Sequence, residues 1–246
     1  MKKFLKNMYI NDGLIMLTYI FINILVLFSY LFMVPFRAEG INFEIYKNTY
    51  MYFYIFQLIV FSFCISHFKV EQNINYKNLV RNIIKVIILI ISNIPLILII
   101  FISGNVKSLN FIYPLVVQAI YGLAIVTLKH LLSIINTTKK YSGFIVNFIV
   151  VFINIFSFIF LYIYYKYAQI VITTIYDKDI PKVFFINPLM SLTGFINMEI
   201  TDYTQMGIYP LIGSFFFWSI CIFINLVVIR TKIKKIGGHS VGMENS

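Results

Sequence analysis

Apolar residues in this chain are gathered into six long stretches, and polar segments separate each stretch from the next. The stretches occupy residues 14–34, 50–68, 83–102, 111–135, 144–164 and 209–229. A helix rises 1.5 Å per residue, so roughly 20 apolar residues cross the hydrocarbon core of a bilayer, and every stretch is about that long. Charge is nearly absent from them: Lys85 lies at the edge of the third stretch and Lys129 near the end of the fourth. The pattern therefore predicts an all-α, polytopic membrane protein with six transmembrane helices.

Composition agrees with this class of protein. Of the 246 residues, 60% are hydrophobic and 12% are charged, whereas about 25% are charged in an average soluble domain. The six stretches leave little sequence for a soluble module. We therefore expect one membrane domain that covers residues 1–246.

The basic residues are distributed unevenly between the two sides of the predicted membrane. The chain carries 20 Lys and Arg against 9 Asp and Glu, which gives a net charge of +11. Fourteen of the basic residues lie at the two termini and in the segments after the second and fourth stretches, and the alternate loops hold six. Because loops rich in Lys and Arg stay on the cytoplasmic side, we expect a multi-pass protein of the plasma membrane with both termini in the cytoplasm. This distribution accounts for the net charge without a nucleic-acid partner.

The N-terminal residues 1–12 have the pattern of a short amphipathic helix. One helical face collects Met1, Phe4, Leu5 and Met8, and the other collects Lys2, Lys3 and Lys6. Such a helix lies in the membrane interface, with its lysines against anionic headgroups. The run Asn11-Asp12-Gly13 is expected to end it before the first span, and the alternative is a frayed basic tail.

The polar segment 69–82 connects the second and third stretches on the predicted cytoplasmic side. Two sets of residues follow helical spacing there: Val70, Ile74, Lys77 and Arg81, and Glu71, Asn75 and Asn78. A short helix in this place would present mixed charge to a partner below the membrane. The alternative is an ordinary solvated loop.

The segment 166–208 is more apolar than an ordinary loop and is interrupted by Pro181, Pro188 and Gly194. None of its apolar pieces is long enough to span a membrane. Proline disfavours helical geometry in the residue before it, so Asn187 is an expected helix boundary. We expect short helices that pack at the outer leaflet or dip into it. Since non-helical backbone at membrane depth needs protein or a water-lined cavity around it, the segment is expected over a pathway or an interface.

The predicted spans contain amide side chains but no mid-membrane carboxylate. The amides are Asn23, Gln57, Asn93, Gln118, Asn147, Asn154 and Asn225. One interpretation is that they join helices through hydrogen bonds worth roughly 0.6–2 kcal/mol each. The other is that some of them line a polar pathway, for which Asn93, Asn147 and Asn154 are the candidates.

The sequence contains no recognisable catalytic or metal-binding motif. His67, His130 and His239 lie at predicted span ends or in the C-terminal tail, without the spacing of a zinc site. The G-x-S-x-G, H-E-x-x-H and Walker A patterns are absent. We therefore expect neither a cofactor nor enzymatic activity in this chain. Any work against a gradient would take its energy from another chain.

The order of these segments resembles that of type-2 ABC exporter permeases. The shared features are an amphipathic N-terminal helix, six spans with both ends inside, a short charged segment after the second span and short outer helices before the sixth. Local support comes from Glu71, Lys77 and Arg81 and from the run Phe185-Ile186-Asn187-Pro188-Leu189. At this length, with no domain attached, the chain looks most like the small permeases of lantibiotic export and immunity systems in low-GC Gram-positive bacteria.

The resemblance implies a transport subunit that works with a second permease, identical or related, and with a cytoplasmic ATP-binding subunit. It assigns contact with the ATP-binding subunit to Glu71, Asn75, Lys77 and Arg81, and the outer gate to Pro181, Asn187, Pro188 and Gly194. The cargo it implies is an antimicrobial or other amphipathic peptide. Two alternatives stay open: the membrane component of an ATP-dependent vitamin uptake transporter, and a stand-alone membrane enzyme.

Overall fold

The computed structural model describes residues 2–33, 43–70, 76–103, 112–135, 137–166, 182–200 and 208–242, and these ranges are helical, without a β-strand. The α-helices are α1 (Lys2–Met33), α2 (Phe43–His67), α3 (Tyr76–Ser103), α4 (Ile112–Ile134), α5 (Ser142–Lys166), α6 (Pro188–Ile200) and α7 (Tyr209–Gly242). Two short 3-10 helices, Lys139–Tyr141 and Lys182–Phe185, precede α5 and α6. The prediction of an all-α protein is confirmed for these residues.

Five helices are long and apolar enough to cross a membrane. The five spans are Asp12–Phe32, Tyr76–Ile99, Ile112–Ile134, Lys139–Phe160 and Tyr209–Ile233. The second predicted stretch corresponds to α2, whose described apolar part, Phe53–His67, is shorter than the other five. Five of the six predicted spans therefore have helices that suit them, and the second, at residues 50–68, stays a prediction.

The predicted break at Asn11-Asp12-Gly13 is wrong, because α1 is one continuous helix from Lys2 to Met33. An Asp-Gly pair is a common stop signal because the Asp side chain can cap a neighbouring backbone group. Here the Asp12 carboxylate instead bonds to residues of α3 and of the chain just after α2. The side chains of residues 1–11, which carry the amphipathic pattern, lie outside the described part of the chain.

Helices α3 and α7 are among those that extend beyond the predicted span limits. The third predicted stretch begins at residue 83, but α3 begins at Tyr76, so residues 76–82 form its first turns and not a separate connection. The last helix, α7, continues past residue 229 to Gly242. Hydropathy marks where an apolar environment ends, and a helix can continue into a polar one.

The contacts between helices fix the direction in which each one runs. Helices α1 and α3 are parallel, because Asp12 contacts Lys85 and Asn23 contacts Asn93. Helices α2, α4 and α7 are parallel to one another and run the opposite way; their contacts are Tyr54 with Gln118, Ser66 with Lys129, Tyr121 with Trp218 and Thr127 with Asn225. The bundle thus has two ends. We call the end with Asp12, Lys85 and Lys129 the basic end, and the end where α4 and α7 begin the far end.

Helix α4 occupies the centre of the bundle. It packs against α2, α3, α5, α6 and α7. Within its span 56% of residues are buried, against at most 33% in the other four spans. Gly122 permits a close approach to α2, because a Cβ atom there would lie 2.9 Å from Cζ of Phe61 and 3.0 Å from Cδ1 of Ile65.

The outer faces of the bundle are strongly apolar. Phe21 on α1, Phe148 on α5 and Phe223 on α7 are 60%, 61% and 68% exposed. On α5 the rings of Phe148, Phe152 and Phe156 stack in succession, with centroids 6.5 Å and 5.9 Å apart. A water-soluble monomer rarely exposes apolar surface of this extent, so the faces fit contact with lipid or with another membrane protein.

Candidate functional site

A buried ion pair joins α1 to α3 at the basic end. The Lys85 Nζ lies 2.5 Å from Oδ2 of Asp12, and the backbone N–H of Lys69 donates to Oδ1 of Asp12 at 3.2 Å. Asp12 is 3% exposed and is the one carboxylate among the side chains that the structure describes. This single carboxylate therefore ties α1 and α3 to the chain immediately after α2.

Three further side chains extend this contact to α4. The Asn82 amide donates to the Lys69 carbonyl at 3.2 Å, accepts from Lys85 Nζ at 3.0 Å and lies 3.2 Å from Nε2 of His130. The Lys129 ammonium donates to the carbonyls of Ser66 and Phe68, both at 2.5 Å. Carbonyls at a helix C-terminus lack hydrogen-bond donors within the helix, and Lys129 supplies a donor to these carbonyls at the end of α2. We call Asp12, Lys69, Asn82, Lys85, Lys129 and His130 the basic-end cluster.

The basic-end cluster lies beside the segment predicted to contact an ATP-binding subunit. Lys77 and Arg81 are on the first turns of α3, Lys77 exposed and Arg81 half-buried, and Asn82 of the cluster follows directly. Glu71 and Asn75 lie outside the described residues. The cluster therefore includes Lys69 and Asn82, the first and last residues of the segment 69–82.

An uncharged network joins α1, α2 and α3 within the bundle. Asn23 donates through Nδ2 to Oδ1 of Asn93 at 2.5 Å, and Asn93 donates through Nδ2 to the Tyr19 hydroxyl at 2.5 Å. The same hydroxyl accepts from Nε2 of Gln57. Asn93, one of the pathway candidates, is thus fully buried and bonded to α1.

Asn154 and Asn147 on α5 have different surroundings. The Asn154 amide donates through Nδ2 to the Ser62 hydroxyl of α2 at 3.0 Å, which fits the interpretation that amides join helices. Asn147 is half-buried, and its Oδ1 has no hydrogen-bond partner within the described ranges. Of the three pathway candidates, Asn147 is the one whose buried oxygen the described protein leaves unpaired.

The segment before α7 folds into the bundle from the far end. Helix α6 begins at Pro188, so the boundary predicted at Asn187 is confirmed. The Asn187 Oδ1 accepts the backbone N–H groups of Leu189 and Met190 at 3.0 Å and 3.3 Å. Asn at the N-cap followed by Pro at the first helical position is a favourable start for a helix, because proline has no N–H to satisfy.

Two hydrogen bonds show how far this segment enters the bundle. The Trp218 indole N–H donates to the Ile186 carbonyl at 2.9 Å, and Nδ2 of Asn187 donates to the Ser157 hydroxyl at 2.6 Å. Ser157 is nine residues from the far end of α5, and Trp218 is nine residues from the start of α7. At 1.5 Å per residue the turn therefore lies about 13–14 Å inside the bundle.

From this turn α6 returns toward the far end. The ring of Phe195 lies 5.6 Å from the ring of Tyr113, near the start of α4. Residues 187–195 are all buried, and α6 packs against α2, α4, α5 and α7. We call residues 182–200 the re-entrant segment. It contains the predicted gate residues Asn187, Pro188 and Gly194, whereas Pro181 lies outside the described part of the chain.

Gly213 on α7 makes room for the re-entrant segment. A Cβ atom at this position would lie 2.6 Å from Cδ1 and 3.2 Å from Cβ of Phe185. Sequence reasoning missed Gly213, Trp218 and Ser157, which hold the segment in place. A glycine and a lone tryptophan within an apolar run are the only signals that could have drawn attention to α7.

The chemistry of the interior is hydrogen bonding by uncharged groups, with fixed charge concentrated at the basic end. Among the residues described, no three His, Cys, Asp or Glu side chains lie close enough to hold a metal ion. Cys64 and Cys221 are both free thiols.

No protein-family model matches the chain, and neither a curated protein nor a solved structure is significantly similar to it.

Proposed function

We propose that the chain is the membrane-spanning permease subunit of an ATP-driven exporter in the plasma membrane. Its cargo is an antimicrobial or other amphipathic peptide, which it expels from the cell or from the membrane. The observation that carries the proposal is the re-entrant segment, a turn followed by a helix whose described side chains are buried among four helices. In this orientation both termini are cytoplasmic, the basic end faces the cytoplasm and the far end faces outward.

A turn at this depth must have its backbone groups satisfied by protein or by a water-lined cavity. The Trp218 indole satisfies the Ile186 carbonyl, and the Ser191 hydroxyl donates to the carbonyls of Phe184 and Asn187. Broken helices at the middle of a membrane are typical of transport proteins, in which they border the substrate path. Asn187, Pro188 and Gly194 then belong to the outer gate, together with Pro181 by resemblance.

Coupling to ATP hydrolysis is assigned to the opposite end. An ATP-binding subunit would contact Glu71, Asn75, Lys77 and Arg81. The basic-end cluster binds this segment to α1, α3 and α4, so a displacement of the segment would be transmitted to three helices at once. The hydrogen bonds of Lys69 and Asn82 support the proposal because they fix both ends of the segment to the bundle.

The class of cargo follows from the absence of fixed charge in the described middle of the bundle. Polar groups contact the re-entrant segment, among them the Ser157 hydroxyl and the Trp218 indole. Such a lining accepts a large amphipathic or cationic peptide better than a small anion, which would need a cationic partner. The exposed apolar faces of α1, α5 and α7 leave surface for a second permease and for lipid.

The proposal is tested by peptide tolerance in growing cells. Cells that carry the chain with its ATP-binding subunit should survive higher concentrations of lantibiotics than cells that lack the ATP-binding subunit. Pro188→Ala should reduce that tolerance, because it weakens the start of α6 within the bundle. Pro210→Ala, which changes a proline in the first turn of α7, is the matched control and should preserve tolerance.

Equal sensitivity of all these strains across a panel of lantibiotics would contradict a peptide cargo.

A further inference from the structure

Helices α4 and α7 together carry three polar atoms that are buried without a hydrogen-bond partner among the described residues. They are Nε2 of Gln118 and the hydroxyl oxygen of Tyr121 on α4, and Oγ of Ser214 on α7. The three residues are 0%, 2% and 0% exposed. A buried polar atom without a partner is unfavourable, and a membrane offers little water to relieve it.

The three atoms lie at a similar depth along the axis of the bundle. The Tyr121 ring contacts the Trp218 ring at a centroid distance of 5.1 Å. Gln118 is one turn before Tyr121 on α4, and Ser214 is one turn before Trp218 on the parallel helix α7. All three therefore lie within about one helical turn along the axis, on two helices that pack together.

The turn of the re-entrant segment lies at this depth in the bundle. Trp218 bonds to the Ile186 carbonyl at the turn, and Phe195 contacts Tyr113 two turns above Tyr121. Helix α6 packs against both α4 and α7. Trp218 thus links the turn to this level, because it contacts both the Ile186 carbonyl and the Tyr121 ring.

The chemistry of the three atoms is that of hydrogen-bond donors. The Gln118 Nε2 is an amide nitrogen and can only donate, while its Oε1 accepts from the Tyr54 hydroxyl at 3.3 Å. The hydroxyls of Tyr121 and Ser214 can each donate one hydrogen. Phe at position 121 and Ala at position 214 would keep nearly the same shape without the unfavourable buried hydroxyl. The hydroxyls are therefore expected to bond to a molecule that is not part of the described protein.

We propose that Gln118, Tyr121 and Ser214 form a hydrogen-bonding site beneath the re-entrant segment for acceptor oxygens, supplied by a peptide backbone or by water. The peptide as occupant rests on the proposed function, whereas water as occupant does not. The Trp218–Ile186 hydrogen bond closes the site, and displacement of the re-entrant segment opens it.

Trp218 makes the site directly observable, because it is the single tryptophan of the chain. The experiment uses the full-length protein in lipid nanodiscs and a lantibiotic without tryptophan as the probe. Its binding is followed by the change in Trp218 emission. Tyr121→Phe with Ser214→Ala should weaken the binding by about two- to tenfold for each hydrogen bond removed.

The matched control variants are Tyr141→Phe, which is exposed at the other end of the bundle, and Ser219→Ala, which is half-buried on α7. Both should bind the probe as the unmodified chain does. Thermal unfolding of every variant, measured beside the binding, separates a lost contact from a lost fold. Equal affinity in the double variant would overturn the peptide as occupant.

A second arm tests water in the absence of peptide. If water bonds to the two hydroxyls, the double variant should shift Trp218 emission to shorter wavelengths and reduce its quenching by acrylamide. An unmodified chain that binds no lantibiotic would count against the proposed function. The emission and quenching measurements alone would then test whether the hydroxyls bond to water. Emission and quenching unchanged in the double variant, together with unchanged peptide affinity, would overturn the site altogether.

Discussion

At the scale of single residues, the decisive contacts join side chains that are far apart in the sequence. Asp12 and Lys85 are 73 residues apart, and both stand out as charges at the edges of apolar stretches. Their pairing depends on α1 and α3 being parallel neighbours, which hydropathy does not reveal. For the same reason the amides could be recognised in the sequence, whereas the partners of Asn23, Asn93 and Asn154 could not.

Asp12→Asn should destabilise the protein by leaving Lys85 without a counter-charge. Removing one member of a buried ion pair costs up to about 3–5 kcal/mol of folding stability. A cost of this order is expected here because the side chains of Asp12 and Lys85 are only 4% and 15% exposed. The measurement is the thermal unfolding midpoint of the purified protein in detergent. Lys77→Gln, which alters an exposed charge on the same helix as Lys85, is the control and should leave the midpoint unchanged.

Asp12→Asn combined with Lys85→Met should recover much of the lost stability, because neither partner is then a buried unpaired charge. A midpoint that is the same in Asp12→Asn and in the unmodified chain would show that the ion pair does not stabilise the bundle.

At the scale of helices, the sequence located the apolar stretches well and the helix ends less well. The boundary at Asn187 was predictable because the steric effect of Pro188 is local. The continuity of α1 through Gly13 and the early start of α3 at Tyr76 were not, because they depend on contacts with other helices and on polar surroundings. Short helices at the outer leaflet were expected from the apolar character of the segment, whereas the packing of α6 among four helices and the residues that hold it were not identified.

Gly213→Ala should displace the re-entrant segment, because the new Cβ atom would lie 2.6 Å from Cδ1 of Phe185. Overpacking of this kind typically costs about 1–3 kcal/mol. We expect a lower thermal midpoint and, in cells, reduced lantibiotic tolerance. The matched control is Gly143→Ala, at a helical position where nothing lies within 4 Å of an added Cβ atom.

Should Gly213→Ala and Gly143→Ala behave alike in both assays, close packing of Phe185 on α7 would have no role in the gate.

At the scale of the whole molecule, the structure supplies a bundle with chemically different ends. Five helices are long and apolar enough to span a membrane, and α2 packs among them as the proposed sixth. The basic end carries buried charges, and the far end receives the re-entrant segment. The uneven distribution of Lys and Arg predicts which end faces the cytoplasm, and that orientation stays a prediction.

The orientation of the bundle is tested by cysteine labelling in intact cells, with Cys64 and Cys221 replaced by alanine. Cysteines at Lys3 and His239 should resist a membrane-impermeant thiol reagent, whereas a cysteine at Asp179 should react with it. Permeabilised cells are the control, in which all three positions should react. Labelling of both termini in intact cells would reverse the proposed orientation.

The central claim, that this chain is driven by a separate ATP-binding subunit, is tested most directly by affinity purification from native membranes in mild detergent. The account predicts that an ATP-binding subunit accompanies the chain, and that the double change Glu71→Lys with Lys77→Glu lowers its ATP hydrolysis. Exposed charges each contribute only about 0–1 kcal/mol, so the double variant should insert into the membrane normally. Purification of the intact chain without any ATP-binding protein would contradict the account.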